Sequence, residues 1–246
     1  MILHGFFLSS AAHRLRIALN LKGIAYDAAP VHLRRGDQRS AAYLALNPQG
    51  LVPALETGDA VLSQSLATIE WLDETHPEPP LLPEGALERA RVRAFAQVIA
   101  CDIHPLQNLR VLRYLKKTLG QEQPALDAWA RHWNAEGLAT CEALLAGRPE
   151  ATFAFGDRPG LAEICLVPQL AAAGRFGLDL APYPRLRRIG AACEALPAFA
   201  EAAPARQPDA PGGAPASGGE TPPLARRLSV GRLCGLPSAA RGSRAP

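Results

Sequence analysis

Two adjacent hydroxyls, Ser9 and Ser10, close a short apolar run (residues 2–8). They open a periodic helix that carries Leu15, Ala18 and Leu19 on one face and stops at Gly23. A strand that ends in serines at a helix N-terminus points hydroxyls and unpaired backbone N–H groups the same way, and the helix dipole adds to them. Such a junction suits a small anion or a thiolate. Serine is also the commonest ordinary helix cap, so the pair alone leaves both readings open. Two more stretches carry related chemistry. In Asn47-Pro48-Gln49-Gly50-Leu51-Val52-Pro53 a proline falls inside a strand pattern. A cis Val52–Pro53 bond would reconcile the two and leave exposed backbone for an extended ligand. Gln64 and Ser65 then start a second helix, with Leu66, Ile69 and Leu72 at helical spacing and His76-Pro77 at its end. A serine there, with free N–H groups, suits a carboxylate.

The elements that must position these loops read as β-α-β-α-β-β-α over about the first 80 residues. Residues 25–33 form a second strand, with Pro30 pointing to a sheet edge; residues 40–46 form a short helix, and residues 60–62 a strand after a Gly58-Asp59 turn. Residues 77–83 are a proline-rich linker, and from Ala86 only helical patterns follow, over 87–118, 124–146, 160–175, 184–195 and 197–203. The expected fold class is therefore a small α/β domain (1–82) followed by an all-α domain (83–206). Residues 207–246, with seven prolines and seven glycines, read as a disordered tail in which residues 224–230 could form a short basic helix.

Composition narrows the function classes. The formal charge of +3 resides wholly in residues 207–246, where five arginines face two acids, so the body is neutral and lacks the clustered basic face of a nucleic-acid binder. No stretch is apolar for long enough to cross a membrane, and the N-terminus lacks the basic start of a secretion signal, which points to the cytoplasm. Cys101, Cys141, Cys165, Cys193 and Cys234 are odd in number and scattered, which reads as free buried thiols rather than disulfides or a metal site. An open strand backbone, a carboxylate site and a thiol partner together describe glutathione.

At this point the chain resembles a known family, the zeta-class glutathione transferases and, within them, the bacterial maleylacetoacetate isomerases. The resemblance runs through Ser9-Ser10-Ala11-Ala12-His13-Arg14-Leu15-Arg16, Leu46-Asn47-Pro48-Gln49-Gly50-Leu51-Val52-Pro53 and Gln64-Ser65-Leu66-Ala67. It continues through Asp102-Ile103-His104-Pro105-Leu106-Gln107-Asn108, Leu166-Val167-Pro168-Gln169 and Asp179-Leu180-Ala181-Pro182-Tyr183-Pro184, covering about residues 1–209. It implies a thioredoxin-like domain packed on a helical one, a homodimer, and glutathione as cofactor. By the same resemblance, Ser9 and Ser10 face the thiol, Gln38 and the Val52 backbone hold the peptide, Gln64 and Ser65 hold the γ-glutamyl carboxylate, and Gln107 and Asn108 close the site. Arg175 and Arg110 are implied for a dianionic maleyl substrate, although an isolated arginine also reads as a solvated charge. His104 reads equally as a ligand or as a cap at a proline kink.

The implied reaction is glutathione-dependent isomerisation of maleylacetoacetate to fumarylacetoacetate in tyrosine and phenylalanine breakdown: thiolate addition to the cis double bond, rotation, and thiolate departure. Maleylpyruvate is the close alternative substrate. Three departures stand out. Leu8 occupies a position where the family usually has arginine, Leu109 precedes Arg110 where a double arginine would favour maleylpyruvate, and Gly160 replaces a capping Ser or Thr. Leu8 and the tail leave two other classes open: a glutathione-binding protein without isomerase activity, and a general transferase.

Overall fold

The computed structural model describes residues 1–212. Strands β1 (Ile2–Gly5), β2 (Asp27–Pro30), β3 (Ala54–Glu56) and β4 (Val61–Ser63) form one sheet in the order β2-β1-β3-β4. β1 and β2 run parallel, with Leu3 opposite Ala28, and α1 (Ser10–Leu21) is the crossover that a parallel pair requires. β3 is antiparallel to both β1 and β4, and Gly58, at φ +98°, makes the turn between β3 and β4. Helices α2 (Ala41–Leu46) and α3 (Ser65–Thr75) complete the expected thioredoxin-like order. Pro30 does sit on the edge strand, where a missing N–H is tolerated. Pro53 lies just before β3 rather than inside it, and the Val52–Pro53 bond is cis.

The helical part comprises α4 (Ala86–Gln97), α5 (His104–Gln107), α6 (Leu109–Lys117), α7 (Gln123–Ala146), α8 (Leu161–Arg175), α9 (Pro184–Glu194) and α10 (Pro197–Ala202). The continuous helix expected over 87–118 is corrected. A π-helical turn, Val98–Ile103, separates α4 from α5, and Asn108 breaks out of helical geometry at ψ 160°. The causes are local: Pro105 brings no N–H, and Asn108 Oδ1 accepts from the N–H groups of Arg110 and Val111, which caps α6. These breaks turn the 104–110 segment toward the sheet's loops.

One hydrophobic core runs from Leu3 through Leu15, Ile17 and Leu19 of α1 into Ile164 and Leu166 of α8, so α1 is shared by both halves. A smaller cluster of Phe6, Val31, Tyr43 and Val52 lies under the loops. Gly160 is a place of close approach: a Cβ there would meet Leu81 O at 2.5 Å, while Glu163 keeps half of the capping box by accepting from Gly160 N–H at 2.8 Å. Residues 207–212, assigned to the tail from composition, are instead folded onto the body. Asp209 Oδ2 accepts from Phe7 N–H at 2.9 Å, and Gln207 is buried. The rest of the tail, with Cys234 and residues 224–230, lies outside the described residues. Cys141, Cys165 and Cys193 are buried thiols, but Cys101 is exposed.

Lys22 ties the end of α1 to the linker. Its buried Nζ donates to Asp73 Oδ1 (2.6 Å), His76 O (2.7 Å) and Pro79 O (2.6 Å). Lys22→Met is expected to destabilise the fold by about 3 kcal/mol, because it strands the largely buried Asp73 carboxylate. The midpoint of urea unfolding measures this.

Candidate active site

A cleft of about 620 Å³ opens between the loops of the sheet domain and the π turn, α5, α6 and the end of α8. Every residue singled out from sequence lines it: Ser9, Ser10, Gln38, Val52, Gln64, Ser65, His104, Gln107, Asn108, Arg110 and Arg175. The two serines differ in situation. Ser9 is the N-cap of α1, and its Oγ accepts from Ala12 N–H at 3.2 Å, so the cap reading holds. Accepting that bond leaves the Ser9 O–H free to donate. Ser10 is buried, and its O–H is aimed at Pro168 O on α8 at 3.5 Å.

On the opposite wall, no hydrogen bond engages the Val52 N–H or C=O among the described residues. Gln64 has φ +67°, a conformation that a non-glycine residue adopts at a cost of about 1–3 kcal/mol. Its Nε2 donates to Gln49 Oε1 at 3.0 Å, and Ser65 follows as the first residue of α3. Gln38 is buried with its Nε2 turned to Leu33 O at 3.4 Å, and Asn108 spends its Oδ1 on the α6 cap. His104 begins α5, immediately before Pro105, makes no side-chain cap bond there, and also lines the cleft.

The charge of this cleft is one-sided. Arg14, Arg34, Arg39, Arg110, Arg113 and Arg175 line it, and among the described residues no carboxylate does. Low-dielectric walls carrying one sign of charge concentrate anions. The sequence reading missed Arg14 as a site residue. Its side chain is only 2% exposed, Nη1 donates to Ser65 Oγ at 3.4 Å, and Nε and Nη2 have no partner among the described residues. Burial pushes this guanidinium below the ordinary arginine range. Its i+4 spacing from Ser10 was the available signal, since it places both on one helix face. Arg113 was missed too: its Nη2 donates to Leu33 O and Arg34 O, both at 3.2 Å, pinning that loop to α6.

Burial, reinforced by Arg14, Arg110 and Arg175, pushes the His104 ring down to about 3, and burial with Arg16, Arg175 and Arg14 does the same to His13. Both rings stay neutral in the fold but take up a proton near pH 6.5 once unfolded, so the unfolded chain binds more protons below that pH. Stability is therefore expected to be complete above pH 6.5 and to fall as pH drops towards 3, by up to about 1.4 kcal/mol per pH unit for each ring. Thermal melts across pH 4.5–7.5 read this slope, and His13→Gln should halve it.

Fold and site together define a thioredoxin-like sheet domain joined to a helical domain, with an arginine-lined cleft between them that opens onto two helix N-termini. Comparison with known proteins agrees. Residues 8–75 match the family model "Glutathione S-transferase, N-terminal domain", and residues 135–189 match "Glutathione S-transferase, C-terminal domain". The chain belongs to the glutathione S-transferase family. A maleylpyruvate isomerase of a Ralstonia species is 52% identical over 81% of this chain and 94% of its own. Among solved structures, a holo maleylpyruvate isomerase described as a zeta-class bacterial transferase superposes with a TM-score of 0.85 at 52% identity, covering 86% of this chain and all of its own. A maleylacetoacetate isomerase from Methylobacterium extorquens, solved with malonate and glutathione bound, gives 0.83 at 44% identity, with coverage of 86% and 100%. Within its family the likeness of this chain is thus to the zeta class.

Proposed function

We propose that this protein is a glutathione-dependent cis–trans isomerase that converts maleylacetoacetate to fumarylacetoacetate. The observation that carries this reading is the cleft with six arginines and, among the described residues, no carboxylate, joined to two helix N-termini that each present a serine. It fits glutathione: two serine hydroxyls, a free main chain at Val52 just before β3 and a buried cation behind Ser65 match a thiol, a peptide and a carboxylate. Glutathione, when bound, supplies the thiolate that adds to the cis double bond and leaves after the resulting single bond has rotated.

The chain's own groups do the rest. Ser9 donates its free O–H, and the N-terminus of α1 adds its dipole, so negative charge on sulfur is favoured there. Ser65, backed by Arg14, holds a carboxylate at the start of α3, and Val52 offers its N–H and C=O to the peptide. Gln38, Gln64, Gln107 and Asn108 complete the cofactor's surroundings. Arg110 and Arg175, both at the cleft mouth, hold the two substrate carboxylates and steady the charge that develops between them. Neutral His104 contributes a hydrogen bond and no charge. The homodimer and the cytoplasmic location belong to the same reading, and light scattering of the purified protein checks the dimer.

Maleylpyruvate is the second reading, favoured by the 52%-identical relative. Leu109, an apolar side chain beside Arg110 on the cleft wall, favours the longer acetoacetate substrate. The test is a side-by-side assay of maleylacetoacetate, maleylpyruvate and a chloro-aromatic electrophile with and without glutathione. The expected order of kcat/KM follows that listing of substrates, with no turnover in the absence of glutathione. Faster turnover of the chloro-aromatic compound would overturn the isomerase.

A further inference from the structure

The Gln107 amide stands at the cleft, but its orientation is decided inside the helical domain. Asn134, fully buried on α7, donates from Nδ2 to Gln107 Oε1 at 2.5 Å and to Ala130 O at 2.7 Å. Gln169, fully buried on α8, donates from Nε2 to Asn134 Oδ1 at 2.6 Å. The oxygen and nitrogen of an amide are alike in size, so the direction of such a chain has to come from a group whose role is not a choice. Ala130 O is that group. A carbonyl only accepts, so the Asn134 atom against it is nitrogen and its oxygen faces Gln169, which must donate. The Gln107 atom that meets Asn134 Nδ2 must likewise be oxygen. One main-chain carbonyl therefore orients three side-chain amides, and it leaves Gln107 Nε2 without a protein acceptor among the described residues.

Such a chain is an unusual thing to keep in a core. Three amides at the meeting of α5, α7 and α8 give up their hydration, and apolar side chains of similar size would pack there with no polar group to satisfy. The same turn of α8 also meets the thiol end of the site, because Pro168, adjacent to Gln169, supplies the carbonyl at which Ser10 is aimed.

We propose that Asn134 and Gln169 are positioning residues that lock the Gln107 amide with its N–H groups toward the cleft, making it a dedicated donor to an oxygen of bound glutathione. This rests on the reading of Gln107 as a glutathione contact. The amide is then prevented from turning over, so glutathione meets a donor already in place rather than one that must be oriented on binding.

The experiment is calorimetric titration of the full-length protein with reduced glutathione, in wild type, Gln107→Ala, Asn134→Leu and the double variant, with thermal melts of each. Gln107→Ala and Asn134→Leu are each expected to weaken glutathione by about five- to tenfold, and the double variant to bind no more weakly than Gln107→Ala. Wild-type affinity in Asn134→Leu would overturn the proposal while leaving the Gln107 contact standing. An equal further loss when Asn134→Leu is added to Gln107→Ala would also overturn it, since it would mark a general distortion of the helices. Wild-type affinity in Gln107→Ala would remove the contact itself, and the proposal with it. Gln169→Met, of similar volume, carries the same cycle if Asn134→Leu does not fold, and the expected loss is again absent in the Gln107→Ala background.

Discussion

Ser9→Ala is expected to lower kcat/KM for the maleyl substrate by about 10²–10³-fold, the usual loss when one donor to a developing negative charge is removed. Ser10→Ala should cost far less. The difference follows from what each hydroxyl is doing: Ser9 Oγ accepts from Ala12 N–H and keeps its proton for a ligand, whereas buried Ser10 turns its proton toward Pro168 O. Ser9→Ala also removes the α1 cap, worth about 1 kcal/mol, so a drop in melting temperature accompanies the loss of activity. Ser9→Gly separates the two effects, because glycine is nearly as good a cap as serine, costing only about a few tenths of a kcal/mol. It should be as inactive as Ser9→Ala and nearly as stable as wild type. Steady-state kinetics with melts of the three variants provide the measurement, and a larger loss in Ser10→Ala would reverse the assignment.

Arg14→Met is expected to move stability and binding in opposite directions. The Arg14 guanidinium is buried, holds one long bond to Ser65 Oγ, and finds no partner for Nε and Nη2 among the described residues. An uncompensated buried charge costs more than a well-packed apolar side chain, so the variant should be more stable by about 1–4 kcal/mol. Its affinity for glutathione should fall about 10- to 100-fold, because the charge behind Ser65 no longer supports a carboxylate at the start of α3. Chemical unfolding without glutathione and titration with it read the two effects independently. A variant that lost both stability and affinity would show that Arg14 serves as a structural tie.

Much of the thioredoxin-like half was legible because its signals are local. The serines at the strand–helix junction, the proline after Val52, Gly58 in its turn and the edge position of Pro30 each follow from the conformational limits of one or two residues. The helical half was legible in its long amphipathic stretches, α7 and α8, but not across residues 98–109. There Pro105 and the Asn108 cap act against an apolar periodicity that continues through them, so the pattern reads as one helix while the backbone makes a π turn and two short pieces. The beginning of the tail was misread for a related reason. Composition counts the two prolines and the glycine of residues 207–212, but it does not see that Asp209 meets the Phe7 N–H from 202 residues away.

The sequence by itself determined which groups line the cleft: its motifs name the two serines, the free backbone at Val52 and the Gln64-Ser65 helix start, because each is a local arrangement of backbone donors and short side chains. Only the tertiary structure decided how those groups are armed. Which serine keeps a free proton, which cation stands behind Ser65, and which way the Gln107 amide faces all depend on partners tens of residues away: Pro168, Arg14 and Asn134. The physical reason is that donor direction and charge burial belong to packed pairs of elements, and no spacing within one element encodes them.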